Sequence, residues 1–289
     1  MGNSSSSDLG FQIKPISRMA QTIDDYTSEA KKKNIIWATT EMDISEVRPH
    51  FDLYKAKTGH SLSFTSFCIA CFSRVVEQHK YPMNSLRKGR KKMYIFDSVD
   101  CMTNIERDMP DGGKKPVNYT VRNAAQKTLW EIHSELRAAQ KVREVKLSSG
   151  GKKGNKLIKN FPKFPRFVRR LIIRKVFSTP LMKKDLMGTV GVTAVAMNAP
   201  RAGNGFMMHI TPHTVSMGVG GIGKRPIIVE GKAVEREFLS VTLAMDHALV
   251  DGGPATRFFY DLYKLIQWEC IEKDWCFRSI PTDLSPPSK

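Results

Sequence analysis

The sequence of 289 residues contains no long apolar run, few cysteines and no visible internal repeat. No stretch approaches the roughly 20 apolar residues of a membrane-spanning helix, and the N-terminus lacks the apolar core of a secretion signal. The cysteines, Cys68, Cys71, Cys101, Cys270 and Cys276, are odd in number and scattered, unlike a secreted disulfide framework. These absences predict a protein of a reducing, cytoplasmic compartment without a membrane span.

Two short patterns that would indicate a cofactor or a metal are incomplete. Gly218, Gly220 and Gly223 form Gly-x-Gly-x-x-Gly, but a strand-like Lys-Arg-Pro-Ile-Ile-Val follows where a dinucleotide site needs a helix. His209 and His213 are four residues apart, but a proline lies between them and no carboxylate or cysteine cluster joins them. We therefore expect neither a dinucleotide nor a metal, and we interpret the glycines as sites of close packing.

A third pattern has the spacing of a redox-active cysteine pair. Cys68 and Cys71 lie within an apolar stretch, 64–72, that is typical of a buried helix. An active dithiol needs an accessible, electropositive setting. We therefore expect these two thiols to pack in the core rather than to react.

The net charge of +18 is concentrated in one segment. Residues 151–184 hold 12 basic and no acidic residues, which leaves a net charge of only +6 for the rest of the chain. Apolar residues at helical spacing with basic residues between them predict a basic amphipathic helix within the basic segment 148–184. The apolar residues are Phe164, Phe167, Val168, Leu171, Ile172 and Val176, and the basic ones are Arg166, Arg169, Arg170, Arg174 and Lys175.

The sequence leaves two interpretations of this helix open. It can pack its apolar face on its own domain and leave its basic face in solvent. It can instead bind an anionic membrane surface through segment 152–184, by apolar burial and charge attraction. Binding to nucleic acid is not expected, because no recognisable nucleic-acid motif accompanies the charge.

The remaining patterns predict intermixed strands and helices. Helical spacing is present over 17–33, over 64–79 and from about residue 127 onward. Strand-like sequences occupy 35–44 and 93–105. Such a mixture indicates an α/β protein.

A histidine lies where a predicted strand meets a predicted helix. Residues 238–245 alternate between large apolar side chains and small or polar ones, and helical spacing with one apolar face begins at Pro254. His247 therefore occupies a tight loop between these two elements. Imidazole is the side chain whose ordinary pKa lies near neutral pH, so His247 is a candidate general base.

The segment around this histidine carries a family resemblance. The sequence Asp246-His247-Ala-Leu-Val-Asp251-Gly252-Gly resembles the active-site segment of the dihydrolipoamide acyltransferases, the catalytic cores of 2-oxo acid dehydrogenase complexes. It also resembles the chloramphenicol acetyltransferases, which share His-x-x-x-Asp-Gly. Further similarities follow in the expected order at 110–124, 188–193 and 219–226. The resemblance implies a chloramphenicol-acetyltransferase-like, two-layer α/β fold with a mixed β-sheet.

The resemblance also implies roles for individual residues. His247 would deprotonate a thiol or hydroxyl acceptor as that acceptor attacks the acyl carbon of a CoA thioester. Residues 188–193 match the family's Gly-Thr-x-x-x-Ser segment, which makes Thr193 the hydroxyl that stabilises the oxyanion. Asp251, followed by Gly252, resembles the family's structural aspartate, whose ion-pair partner would be Arg18. The family forms trimers, so we expect a homotrimer or a multiple of it, with His247 of one subunit facing Thr193 of the next.

The resemblance further sets the expected domain and ligands. We expect one acyltransferase-like domain, 13–275, between polar tails at 1–12 and 276–289, free-standing and without lipoyl or subunit-binding domains. Coenzyme A or acyl-CoA would be a substrate, with no lipoate bound covalently to this chain. Ala248 replaces the arginine common after the family histidine, and 194–198 replaces a polar, glycine-containing stretch. The acyl acceptor can therefore differ from dihydrolipoamide.

Two other functions remain open from the sequence. One is a catalytically silent scaffold or assembly protein of the same fold. The other is a peripheral membrane protein in which the basic helix is the main functional element. The first residues, Met-Gly-Asn-Ser-Ser-Ser, match the N-myristoylation pattern, and a flexible polar tail is the alternative.

Overall fold

The computed structural model describes residues 11–108, 114–141, 161–194 and 205–281. The myristoylation pattern, residues 110–113 of the family similarity, residues 148–156 of the basic segment and nearly all of 194–198 lie outside the described residues. The helices are α1 (Arg18–Ala30), α2 (Arg48–Thr58), α3 (Phe64–Gln78), the single turn α4 (Lys80–Met83), α5 (Leu129–Lys141), α6 (Arg166–Ser178), α7 (Pro180–Met187) and α8 (Gly252–Gln267). The strands are β1 (Ile35–Asp43), β2 (Ser85–Lys88), β3 (Lys92–Ile95), β4 (Cys101–Asp108), β5 (Lys114–Val121), β6 (Val190–Ala194), β7 (Val215–Val229) and β8 (Lys232–Asp246).

Six strands form one mixed sheet in the order β1-β8-β7-β6-β4-β5. β4, β6 and β7 run parallel to one another, and the other neighbouring strands are antiparallel. β2 and β3 form a separate two-stranded hairpin. The connection from β4 to β6 carries helices, as a parallel crossover commonly does.

The single strand predicted over 93–105 is wrong, because β3 and β4 belong to different sheets. Residues 96–100 between them are not in a strand, and the side-chain amide of Asn84 bonds to this connection. Asn84 Nδ2 donates to the carbonyls of Phe96 and Ser98 at 2.7 and 3.0 Å. Asn84 lies outside the predicted strand 93–105, so the sequence of that segment does not reveal the interruption.

The two faces of the large sheet differ because successive side chains of a strand point to opposite sides. On β8, Leu239, Val241 and Leu243 belong to the apolar core, whereas Ser240 and Thr242 lie on the other face. Helices α3, α5 and α8 pack together in the core layer. This arrangement is the two-layer α/β fold that the sequence predicts.

The core contains the cysteine pair with redox spacing. Cys68 and Cys71 are buried in α3, and burial raises the pKa of both thiols. A thiol that resists ionisation is a poor nucleophile, so the predicted packing role is confirmed. Cys276 and Phe277 are also buried in this core. The packed region therefore continues past the predicted domain boundary at 275.

The polar face of the sheet is crossed by residues 205–213. The backbone nitrogen of Gly221 donates to the carbonyl of Gly205 at 3.0 Å, and Trp37 Nε1 donates to the carbonyl of His209 at 3.1 Å. A Cβ atom at Gly218 would lie 2.9 Å from His209 Nδ1, and one at Gly220 would overlap the Gly205 carbonyl oxygen. These two glycines therefore permit close packing, as predicted from the sequence.

The Gly220→Ala substitution is expected to lower the free energy of unfolding by about 1–3 kcal/mol, because the new methyl group meets backbone that has little room to move. The matched control is Gly205→Ala, where a Cβ atom would meet nothing within 4 Å. Its cost should stay within about 0.5 kcal/mol. Urea unfolding of both variants measures the difference, and equal costs would contradict the close approach.

Helix α6 is the predicted basic helix, and it packs against α1 through a buried ion pair. Arg169 Nη2 lies 2.8 Å from Asp25 Oδ2, with the two side chains 5% and 1% exposed. Phe167 and Leu171 are 67% and 62% exposed. The helix is confirmed, but Arg169 is buried against Asp25, and part of the apolar face lies in solvent. No helix of the described residues is long and apolar enough to cross a membrane.

Candidate functional site

His247 follows β8 directly, in a turn that fixes the orientation of its ring. Its backbone nitrogen donates to the carbonyl of Asn34 at 2.8 Å, and its Nδ1 lies 3.0 Å from the carbonyl oxygen of Val250. Because a carbonyl only accepts, Nδ1 donates this hydrogen bond, and in the neutral ring the lone pair therefore lies on Nε2. The side chain is exposed. His247 therefore has the tautomer and the access that a general base needs.

The predicted ion pair between Asp251 and Arg18 is absent from the described chain. Asp251 caps α8, which begins two residues earlier than the predicted Pro254, but its side chain accepts no capping hydrogen bond. Asp251 and Arg18 are both exposed, and no ion pair joins them. Gly252 is exposed as well, and a Cβ atom there would meet nothing within 4 Å.

A different carboxylate braces the loop. Lys33 Nζ lies 3.2 Å from Asp246 Oδ2, and the two side chains are 11% and 0% exposed. Asp246 Oδ1 accepts a hydrogen bond from the backbone nitrogen of Ala248 at 3.2 Å. Lys33 Nζ also donates to the carbonyl of His213 at 2.7 Å. This ion pair ties the region after α1 to both the His247 turn and the segment over the sheet.

The electrostatics of the brace follow from its burial. Burial lowers the pKa of Lys33 to about 8, and the charge of Asp246 opposes that shift. One signal in the sequence could have revealed Asp246, since it continues the polar positions of the alternating strand and is the only charged residue among them. No local signal identifies Lys33 as its partner.

The Lys33→Met substitution is expected to lower the free energy of unfolding by about 3–5 kcal/mol, because it leaves the Asp246 carboxylate buried and unpaired. Lys32→Met is the matched control, since Lys32 pairs with Glu29 at 2.5 Å on the surface. Exposed pairs contribute about 0–1 kcal/mol. Adding Asp246→Asn to Lys33→Met should restore part of the loss. Similar unfolding curves for the two single variants would show that the buried pair does not brace the loop.

Thr193 lies on β6, on the polar face of the sheet. Its neighbours Val190 and Val192 alternate toward the core, and Thr193 pairs with Gly218 of β7. Thr193 is half-buried and lines a cavity of about 180 Å³. Other polar residues that line this cavity, here called the Thr193 cavity, include Tyr26, Thr103, Asn104, Asn118, Thr211 and Ser216.

The Thr193 cavity also holds the two histidines that the sequence places four residues apart. His209 Nε2 lies 2.7 Å from Ser216 Oγ, whereas His213 Nε2 donates to the carbonyl of Met187 at 2.9 Å. Burial, with the charge of Lys183, lowers the pKa of His213 to about 3, so it is neutral at pH 7. The described residues contain no cluster of three or more potential metal ligands.

The two predicted catalytic residues do not meet within one chain. In the register of the sheet, Thr193 pairs with Gly218 of β7, and Gly218 pairs with Thr242 of β8. His247 follows Thr242 by five residues, so at the usual rise per residue it lies about 15 Å further along the strands. A base and an oxyanion donor that act on one reacting centre must lie much closer together.

Comparison with known proteins relates the sequence to an acyltransferase family. Residues 183–271 match the family model described as the 2-oxoacid dehydrogenases acyltransferase catalytic domain. A curated relative is the dihydrolipoyllysine-residue acetyltransferase component of the pyruvate dehydrogenase complex of Staphylococcus epidermidis, 22% identical over 232 residues. The match covers 78% of this chain and 44% of that protein, so the chain spans less than half the relative's length.

Solved structures have the same fold. The cubic core of the pyruvate dehydrogenase multienzyme complex is 18% identical with a TM-score of 0.63, covering 93% of this chain and 96% of that one. The dihydrolipoamide acetyltransferase of Azotobacter vinelandii is 18% identical with a TM-score of 0.62, covering 92% and 96%. The resemblance found in the sequence and the α/β fold class are therefore both confirmed.

Proposed function

We propose that this protein is a CoA-dependent acyltransferase, which moves an acyl group between a CoA thioester and a thiol or hydroxyl acceptor. The observation that carries the proposal is the fixed tautomer of His247, with Nδ1 bonded to the carbonyl of Val250 and Nε2 free. This tautomer presents a lone pair, on a braced loop, to a proton that must be removed. The match to the acyltransferase catalytic domain over 183–271, which includes His247, supports it.

The residues can perform the transfer in two steps. His247 Nε2 takes the proton of the acceptor while the acceptor's sulfur or oxygen attacks the acyl carbon, and the carbonyl electrons move to oxygen. The Thr193 hydroxyl donates a hydrogen bond to this oxyanion. The oxyanion then collapses, the carbon–sulfur bond to CoA breaks, and His247 returns the proton to the departing CoA sulfur. The imidazole therefore serves first as base and then as acid.

A second copy of the chain would complete the site. Because His247 and Thr193 are about 15 Å apart along the strands of one chain, we infer that His247 of one subunit faces Thr193 of another. A homotrimer places both residues in each of three such interfaces. A structure with the same fold is described as the cubic core of a multienzyme complex, which supports this inference.

The acetyltransferase of Azotobacter vinelandii supports the choice of residues. A serine, a histidine and an asparagine of that enzyme have been investigated for their roles in its catalytic mechanism, and the last two lie four residues apart. His247 and Asp251 have the same spacing. The serine precedes that histidine by 52 residues, and Thr193 precedes His247 by 54. We propose that Thr193 takes the serine's place.

The His247→Ala substitution should lower kcat for acyl transfer by about 10²- to 10⁴-fold, because the base is lost while the exposed ring contributes little packing. Release of the CoA thiol from a panel of acyl-CoA substrates, with dihydrolipoamide as one acceptor, measures the rate. His60→Ala is the control, since His60 is also exposed and lies outside the site. Turnover by the wild type with no loss in His247→Ala would refute the mechanism. No turnover by the wild type would favour a catalytically silent scaffold.

Mixing two inactive variants tests whether the site is shared between subunits. Thr193→Ala should lower kcat more than it raises KM, and Thr193→Ser should retain most activity, because the hydroxyl acts mainly in the transition state. When His247→Ala and Thr193→Ala subunits are exchanged, interfaces with both intact residues form and activity should return. A protein that is active as a monomer by light scattering would contradict the shared site.

A further inference from the structure

A second cavity, distinct from the Thr193 cavity, carries a concentration of positive charge. It has a volume of about 290 Å³ and is bordered by α1, the β2–β3 hairpin, α6 and α7. Among the described residues that line it, Glu29 is the one carboxylate, and Lys32 pairs with it. The lining residues with cationic side chains, which define the cationic cavity, are Lys32, Lys33, Arg87, Arg90, Arg174 and Lys183.

Most of these cations lack a carboxylate partner. Lys33 pairs with Asp246. Among the residues that the structure describes, no carboxylate forms an ion pair with Arg87, Arg90, Arg174 or Lys183. They come from three separate elements, so their convergence results from the tertiary fold and not from a run of basic sequence.

Lys183 is the most unusual member of the cationic cavity. Its side chain is 3% exposed, and its ammonium group donates to the carbonyl of Pro212. The ammonium also lies 5.2 Å from the centre of the Phe177 ring. Burial lowers the pKa of Lys183 well below its ordinary value, and the positive charges of Lys33 and Arg87 add repulsion that the negative charge of Asp246 offsets only in part. A bound anion would offset both effects.

We propose that the cationic cavity binds a phosphate group. Arginines from the hairpin and α6 present forked donors, which match the oxygens of a phosphate better than a single-atom anion does. Lys183 adds a buried amine whose charged form a bound anion would favour, and Ser178 adds a hydroxyl to the lining. The phosphate can belong to a soluble compound such as CoA or to the headgroup of an anionic lipid.

The cationic cavity is linked to the turn that holds His247. Lys33 lines the cavity and pairs with Asp246, and the next residue, Asn34, accepts the backbone hydrogen bond of His247. The phosphate site does not rest on the proposed acyl transfer, because its probes include compounds with no acyl group.

The first experiment titrates the purified protein with inorganic pyrophosphate by calorimetry. The wild type should bind it saturably, and Arg87→Gln/Arg174→Gln should weaken binding about tenfold or more, because two charged donors are lost. The matched control is Arg170→Gln/Lys175→Gln, which removes the same charge from exposed positions outside the cavity. Equal weakening by both double variants, or no saturable binding by the wild type, would overturn the proposal.

The second experiment measures thermal unfolding of Lys183→Met with and without pyrophosphate. If Lys183 binds the phosphate, this variant should be at least as stable as the wild type when pyrophosphate is absent. Pyrophosphate should then no longer stabilise the variant. A variant that is less stable alone, yet is stabilised by pyrophosphate as strongly as the wild type, would show that Lys183 has only a structural role. That result would remove Lys183 from the site.

Two further arms identify the source of the phosphate. If the source is CoA, Arg87→Gln/Arg174→Gln should raise the KM for acyl-CoA about tenfold and leave kcat unchanged. If the source is a lipid, the same variant should lose binding to phosphatidylglycerol vesicles but not show a raised KM, with phosphatidylcholine vesicles as the blank. Pyrophosphate binding by a protein that shows no acyl transfer would refute the proposed function and leave the phosphate site standing.

Discussion

The buried ion pair between Lys33 and Asp246 holds the candidate site together. Asp246 ends β8, Lys33 follows α1, and the lysine also bonds to the segment that crosses the sheet. Because both charges are removed from water, neither is stable without the other. The backbone nitrogen of His247 also donates to the carbonyl of Asn34, so residues 33 and 34 hold the proposed base by an ion pair and by a hydrogen bond.

The same packing bears on the proposal that two copies of the chain share one site. Glycines 218 and 220 let residues 205–213 lie directly on the polar face of the sheet. The Thr193 cavity stays accessible beside it, and His247 stays exposed at the far end of β8. The proposed site would be complete when another copy of the chain brings its His247 to this Thr193, as a symmetric oligomer allows.

Local pattern determined what could be predicted from the sequence. The alternation of β8 and the helical spacing of α8 located His247, since both periodicities depend only on neighbouring residues. The braces could not be found in this way. Asp25 lies 144 residues from Arg169 and Asp246 lies 213 from Lys33, so no spacing connects them. For the same reason the expected pairing of Asp251 with Arg18 rests on resemblance alone, whereas the carboxylate that needs a partner is the buried Asp246.

The charge of Lys33 connects the cationic cavity to the turn that holds His247. Lys33 belongs to both, and burial lowers its pKa to about 8, so a small electrostatic change alters its protonation near neutral pH. A phosphate in the cavity would favour the charged form of Lys33, and that form is the one Asp246 requires. Occupancy of the cavity and the order of the His247 turn would then be coupled, and by thermodynamic linkage an ordered turn would in return strengthen phosphate binding.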